Sequence, residues 1–173
     1  MAFDLSAIGS QFLVGLSRSM ILFIVTAGLS FVLGVLRVPN VAHGSLYMIG
    51  AFSAFSITKL VPGTTGFWLA LVLAPLVVAA VSFIAERALF CHLYQREHLM
   101  LLLFALSLIL GDLVKIVWGA EYKSIMAPPL FDGSVRIFGA SIPKYNFFLL
   151  IIGPVVAIGL WLFTNKTKLG KIA

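Results

Sequence analysis

The chain has 173 residues, 61% hydrophobic and only 10% charged, with a mean hydropathy of +1.12. So much apolar surface excludes a water-soluble globular protein, and the length allows one bundle of roughly four to six membrane spans. The net charge of +6 would suggest nucleic acid in a soluble chain. Here the basic residues sit mainly at helix ends with no base-reading or stacking patch, so the charge reads as a topology signal at anionic membrane lipid and nucleic acid is not expected as a partner.

In chain order, the N-terminus carries no Lys or Arg ahead of its apolar run and no small-residue cleavage site follows, so the first helix is expected to remain as an uncleaved span. Span one covers about Phe12 to Leu36 and ends at Arg37-Val38-Pro39-Asn40, where proline disfavours helix at the residue before it. Span two runs from about Val41 to Val61. Pro62-Gly63-Thr64-Thr65-Gly66 is a turn into span three, about Phe67 to Ala85, with a tolerated mid-span proline at Pro75. Glu86 to His98 is a charged connection, and span four follows from about Leu99 to Gly119. Ala120 to Tyr145, broken by Pro128-Pro129, Asp132-Gly133 and Pro143, reads as an ordered external loop with room for a short hairpin or interfacial helix. Span five covers about Asn146 to Thr164. The expected fold is therefore all-α, a polytopic membrane helix bundle of about five transmembrane helices, forming one domain over residues 1–173. Basic residues are denser in 37–40, 86–98 and 165–173 than in the other connections, which places those three in the cytoplasm.

Span two is the most polar. Asn40, His43, Tyr47, Gly50 and Ala54 recur at spacings of three and four and share one helix face, while Phe52 lies on another. Polar side chains on such a face avoid lipid, and Gly50 with Ala54 would let a second helix approach closely, so the face reads as a helix-packing seam or as part of a translocation path. No catalytic constellation is expected: His43 and Ser45 are two positions apart and point about 200° away from each other. Cys91, His92 and His98 fit no zinc spacing, so neither metal nor cofactor is expected. Glu86-Arg87 reads as a local charge pair, and Asp112 with Lys115, at i and i+3, as a structural ion pair.

Several segments together resemble one family. Gly34-Val35-Leu36-Arg37-Val38-Pro39-Asn40-Val41-Ala42-His43-Gly44-Ser45-Leu46-Tyr47-Met48-Ile49-Gly50-Ala51, then Glu86-Arg87-Ala88-Leu89 ahead of Leu93-Tyr94, then Leu106 to Gly119, then Thr167-Lys168-Leu169-Gly170-Lys171, are similar in order and spacing to the branched-chain amino acid ABC transporter permeases of the LivH type. Departures are Val41 where Phe is usual, Cys91-His92 where Arg-Pro is common, and Gly111 where an acidic residue often precedes the Asp. The resemblance implies a non-enzymatic, multi-pass permease subunit of a prokaryotic cytoplasmic (inner) membrane. Its implied partners are a second permease subunit, two cytoplasmic ATPase subunits that hydrolyse the ATP, and a periplasmic or extracellular solute-binding protein. It implies that Thr167, Lys168, Gly170 and Lys171 begin the segment that engages the ATPase. Urea or short-amide permeases are close relatives, and a non-transport scaffold or anchor subunit is the alternative class. Since family members continue with further spans, the chain is expected to correspond to their N-terminal portion and to be incomplete at its C-terminus.

Overall fold

Continuous apolar runs can hide their backbone polar groups from lipid only by bonding them within a helix, and five α-helices form: α1, Leu5–Leu36; α2, His43–Leu60; α3, Thr64–Ala85; α4, Arg96–Trp118; α5, Lys144–Lys166. The computed structural model describes residues 5–36, 40–90, 96–125, 128–137 and 140–166. Four of the helices, all but α2, are long and apolar enough to cross a membrane. The fold is that of an all-α, polytopic membrane protein.

Both α1 and α4 begin earlier than the apolar runs suggest, at Leu5 and Arg96. Hydropathy finds the lipid-facing length of a helix, whereas the helix itself continues until a breaker intervenes, and neither Ser-Ala-Ile-Gly-Ser-Gln nor Glu-His is one. Beyond Ala85 the helix continues as a wider, π-type turn over Glu86–Phe90. There the Arg87 guanidinium lies 5.4 Å from the centre of the Phe83 ring. It makes no ion pair with Glu86 among the described residues, so the expected charge pair is replaced by a cation–π contact. The Lys115–Asp112 pair does form, at 3.0 Å. The proline-broken stretch after α4 contains the short hairpin it had room for. A 3-10 turn at Pro129–Phe131 precedes strands β1, Ser134–Ile137, and β2, Ala140–Pro143, which pair antiparallel with Ser134 opposite Pro143.

The chain divides into two compact units, Met1–Arg37 with Pro129–Ala173, and Val38–Pro128. In the first, α1 packs on α5 and on β2. Two contacts fix their register: a Cβ on Gly153 would fall 2.5 Å from the Met20 sulfur, and Phe31 meets Phe163 edge to face at 5.7 Å. Position increases together on both helices, so α1 and α5 run parallel. Phe131, Tyr145 and Phe148 form an aromatic cluster at the start of α5, and Ile142 of β2 is 1% exposed.

The second unit is a three-helix bundle with α2 against both α3 and α4. Gly63, at a φ of 91°, makes the reversal between α2 and α3, a backbone state that suits glycine. Its core is built from Ala42, just before α2, and Ile49 of α2 with Leu103, Leu106, Leu110 and Val114 of α4.

Candidate functional site

The site that geometry and sequence pattern both single out is α2, because it is the helix least suited to lipid and the one most enclosed in its unit. Its buried residues are Ser45, Ile49 and Ser53, preceded by Ala42, 1% exposed. They recur at three and four, so one face of the helix turns into the bundle.

Towards α4 the seam is polar and bonded. Ser45 Oγ lies 2.9 Å from both the backbone carbonyl and the hydroxyl of Ser107, and Trp118 Nε1 donates to Ser56 Oγ at 2.7 Å. The Trp118 ring also rests on Phe52, 5.7 Å between centroids. The partners at each level, Ser45 with Ser107 and Ser56 with Trp118, differ by the same sequence separation of 62, so α2 and α4 run parallel in one fixed register. Interhelical hydrogen bonds of this kind contribute about 0.6 kcal/mol each in a membrane, with an upper end near 1.7.

Towards α3 the seam is close and dry. Gly66, Ala70 and Ala74 are the buried residues of α3, one every fourth position, and they present almost no side chain to α2. A Cβ on Gly50 would meet Val78 Cγ2 at 3.2 Å. At Gly66 a Cβ would collide with the backbone carbonyl of Val61. Small residues at such positions let backbones approach, and dispersion across the contact replaces contact with lipid.

Among the residues singled out from sequence, Gly50 lies on the α3 contact. Asn40 and His43 are partly buried at the start of α2, where the His43 backbone N–H donates to the Asn40 carbonyl at 3.1 Å. The Asn40 side-chain oxygen is buried without a hydrogen-bond partner among the described residues. Tyr47 is 52% exposed, beside Gly44 and Ala51 on the open side of the helix. Thr167, Lys168, Gly170 and Lys171 lie outside the described residues, as do Cys91 and His92. Phe52, expected on a face apart, packs into the core and on Trp118. Sequence reasoning missed Ser45, Ser53, Ser56, Ser107 and the small-residue stripe of α3. The signal was present, in serines and alanines at helical spacing within apolar runs, but each is individually unremarkable beside a histidine or an asparagine. Among the described residues no group of three or more His, Cys, Asp or Glu could hold a metal ion.

Four apolar helices, with a fifth and more polar one held between two of them through serines and glycines, define a multi-pass membrane protein. The family described as "Branched-chain amino acid transport system / permease component" matches residues 11–173, and the chain belongs to it. It is 25% identical over 161 residues to the high-affinity branched-chain amino acid transport system permease protein LivH of Salmonella typhimurium, covering 86% of this chain and 52% of that protein. The Escherichia coli K12 protein of the same name aligns with the same identity and coverage. BraD of Pseudomonas aeruginosa, also a high-affinity branched-chain amino acid permease protein by name, is 28% identical over 93% of this chain and 56% of its own length. The chain thus spans about half the length of the curated relatives it matches. No solved structure matches it.

Proposed function

We propose that this chain is a permease subunit of an ABC importer that moves branched-chain or related amino acids across the prokaryotic cytoplasmic membrane. The observation that carries this reading is the family match over residues 11–173, joined to relatives whose names all specify high-affinity branched-chain amino acid transport. The chain itself performs no covalent chemistry. ATP is hydrolysed by two cytoplasmic ATPase subunits, a second permease subunit completes the pathway, and a periplasmic or extracellular binding protein delivers the solute.

Within this reading the Asn40, His43, Tyr47 and Gly50 segment has a divided role. Gly50 seats α2 on α3, and Asn40, His43 and Tyr47 contribute polar groups to the pathway or to the second permease subunit. Thr167, Lys168, Gly170 and Lys171 begin the coupling segment on the cytoplasmic side, where basic residues also hold the end of α5 at anionic lipid.

The test is reconstitution. The complete permease that carries this sequence, co-expressed with the ATPases, second permease and binding protein of the same system, is expected to co-purify with two ATPase subunits and to support ATP-dependent leucine uptake into proteoliposomes. Recovery of a stable lone subunit, with no ATPase and no uptake, would instead identify a scaffold.

A further inference from the structure

The register of the three-helix unit fixes the depth of the Asp112–Lys115 pair. The Ser45–Ser107 and Ser56–Trp118 contacts share one separation of 62, which puts Asp112 level with Gly50, and Gly50 meets Val78 of α3. α3 supplies the scale. Near its start Gly66 closes on Val61, so Trp68 stands level with Lys59, and its far end is marked by Glu86 and Arg87. Between Trp68 and Glu86 the sequence holds no charge. At ~1.5 Å per residue this stretch is about 27 Å long, which matches a hydrocarbon layer with a tryptophan and a lysine at one surface and a charged turn at the other. Val78 stands about 15 Å from the Trp68 level and about 12 Å from the Glu86 level. Asp112 therefore lies near the middle of the bilayer.

A lysine close to a helix end can relieve itself by reaching along the helix to the interface. Lys115 does not: its Nζ is held 3.0 Å from Asp112 Oδ1, on the residue one turn deeper. Both side chains point out of the unit, 65% exposed for Lys115 and 70% for Asp112, among Leu108, Ile109 and Ile116, which are exposed as well. Neither charged group has another partner among the described residues. The carboxylate oxygen Oδ2 and two ammonium N–H groups are thus unspent, at a depth where acyl chains offer them nothing.

We infer that this side of α4 is the docking face for a transmembrane helix of the second permease subunit, and that this helix brings uncharged side chains able both to donate and to accept, hydroxyls or carboxamides, to the Asp112–Lys115 pair. The pair is neutral as a whole, so a charged partner would leave a net charge in hydrocarbon, whereas a neutral donor and acceptor completes both unspent groups. Depth selects the subunit. Among the partners in the proposed function, the ATPases and the binding protein lie outside the bilayer, and only the second permease subunit can bring a side chain to its middle. The identity of the partner rests on the proposed function; the depth of the pair and its unspent hydrogen-bonding groups do not.

The experiment uses the complete importer with the photoreactive residue p-benzoylphenylalanine at Leu108, one turn from Asp112 on the same side of α4, or at Val72 on the open side of α3. Ultraviolet light is expected to join the Leu108 position to the second permease subunit, identified by mass spectrometry, and the Val72 position to no protein. Equal capture at the two positions, or an adduct at Leu108 with the same permease, with a second copy of it, or with no protein at all, overturns the inference. A second arm reads the charges themselves. Asp112→Leu combined with Lys115→Leu removes both; for a pair facing lipid, recovery of the second subunit on purification would stay the same or rise, whereas a docking pair should lose it by at least about tenfold. Exchanging the charges, Asp112→Lys with Lys115→Asp, should restore part of that loss, because the pair stays neutral at the same depth. Unchanged recovery with the double leucine variant also overturns the inference. Should that variant fail to accumulate, the Leu108 adduct decides, since the pair is intact there. If the unaltered permease recovers neither ATPase nor second subunit, the proposed function fails and this inference with it. Recovery of both without the Leu108 adduct counts against this inference alone.

Discussion

α2 and α3 lie side by side and solve opposite problems. α3 shows an apolar surface to the outside, with Leu71, Val72 and Leu76 all exposed, and reserves its smallest residues, Gly66, Ala70 and Ala74, for the interior. α2 does the reverse, placing Ser45 and Ser53 in the interior and bonding Ser45 and Ser56 across to α4. In water the most apolar helix would be the most buried. Here apolarity measures contact with lipid, and burial is signalled by small and weakly polar side chains, because lipid is as apolar as leucine and provides no hydrophobic drive between helices.

The contrast can be broken most sharply at Gly66. Gly66→Ala places a methyl group on the Val61 carbonyl, and since backbone must move to admit it, a loss of about 3 kcal/mol or more is expected. The measurement is equilibrium unfolding in mixed detergent–SDS micelles, and a change under about 1 kcal/mol would show that the turn after α2 does not close on Gly66 at the start of α3. Next in size is Gly50→Leu, which crowds Val78 and should cost about 1–3 kcal/mol. Its control is Ala51→Leu on the open side of α2. Phe52→Leu is not a neutral control, because it removes the stacking contact with Trp118.

On the polar side of the comparison, a double-mutant cycle of Ser45→Ala and Ser107→Ala should return a coupling of about 0.6 kcal/mol. Trp118→Phe keeps the ring and deletes the Nε1 donor to Ser56, and it should destabilise by a similar amount. At the small end, Val72→Leu on the open side of α3 should shift stability by less than about 0.5 kcal/mol. A large effect there would mean that this face meets protein instead of acyl chains.

The helices were legible because the bilayer imposes length and apolarity on anything that crosses it, and the hairpin between Ser134 and Pro143 because prolines and glycines forbid a helix there. The buried side of α2 was harder to read. Histidine, asparagine and tyrosine look like the polar face of an amphipathic helix, whereas the bonds across to α4 are made by Ser45 and Ser56, whose hydroxyls an apolar run scarcely advertises. The register of α1 on α5 could not be read from either helix alone, since it is set by the Met20–Gly153 and Phe31–Phe163 contacts. The roles proposed for Asn40, His43 and Tyr47 towards solute, and for Thr167 to Lys171 towards a partner, would be set by surfaces of other chains and so leave no mark in the packing of this one.

The parallel packing of α1 on α5 also counts the crossings. A chain that traverses a bilayer reverses its heading at every pass, so two helices can share a heading only if an odd number of passes separates them. By length and hydropathy α3 and α4 would be the only passes between α1 and α5, and the two would then point in opposite directions. They do not, so α2 must be the third. Its 18 residues fall short of the apolarity that marks the other four helices, and they cross with α3 and α4 packed on two of their sides, so that serines and a glycine stand where a lipid-facing helix would carry leucines.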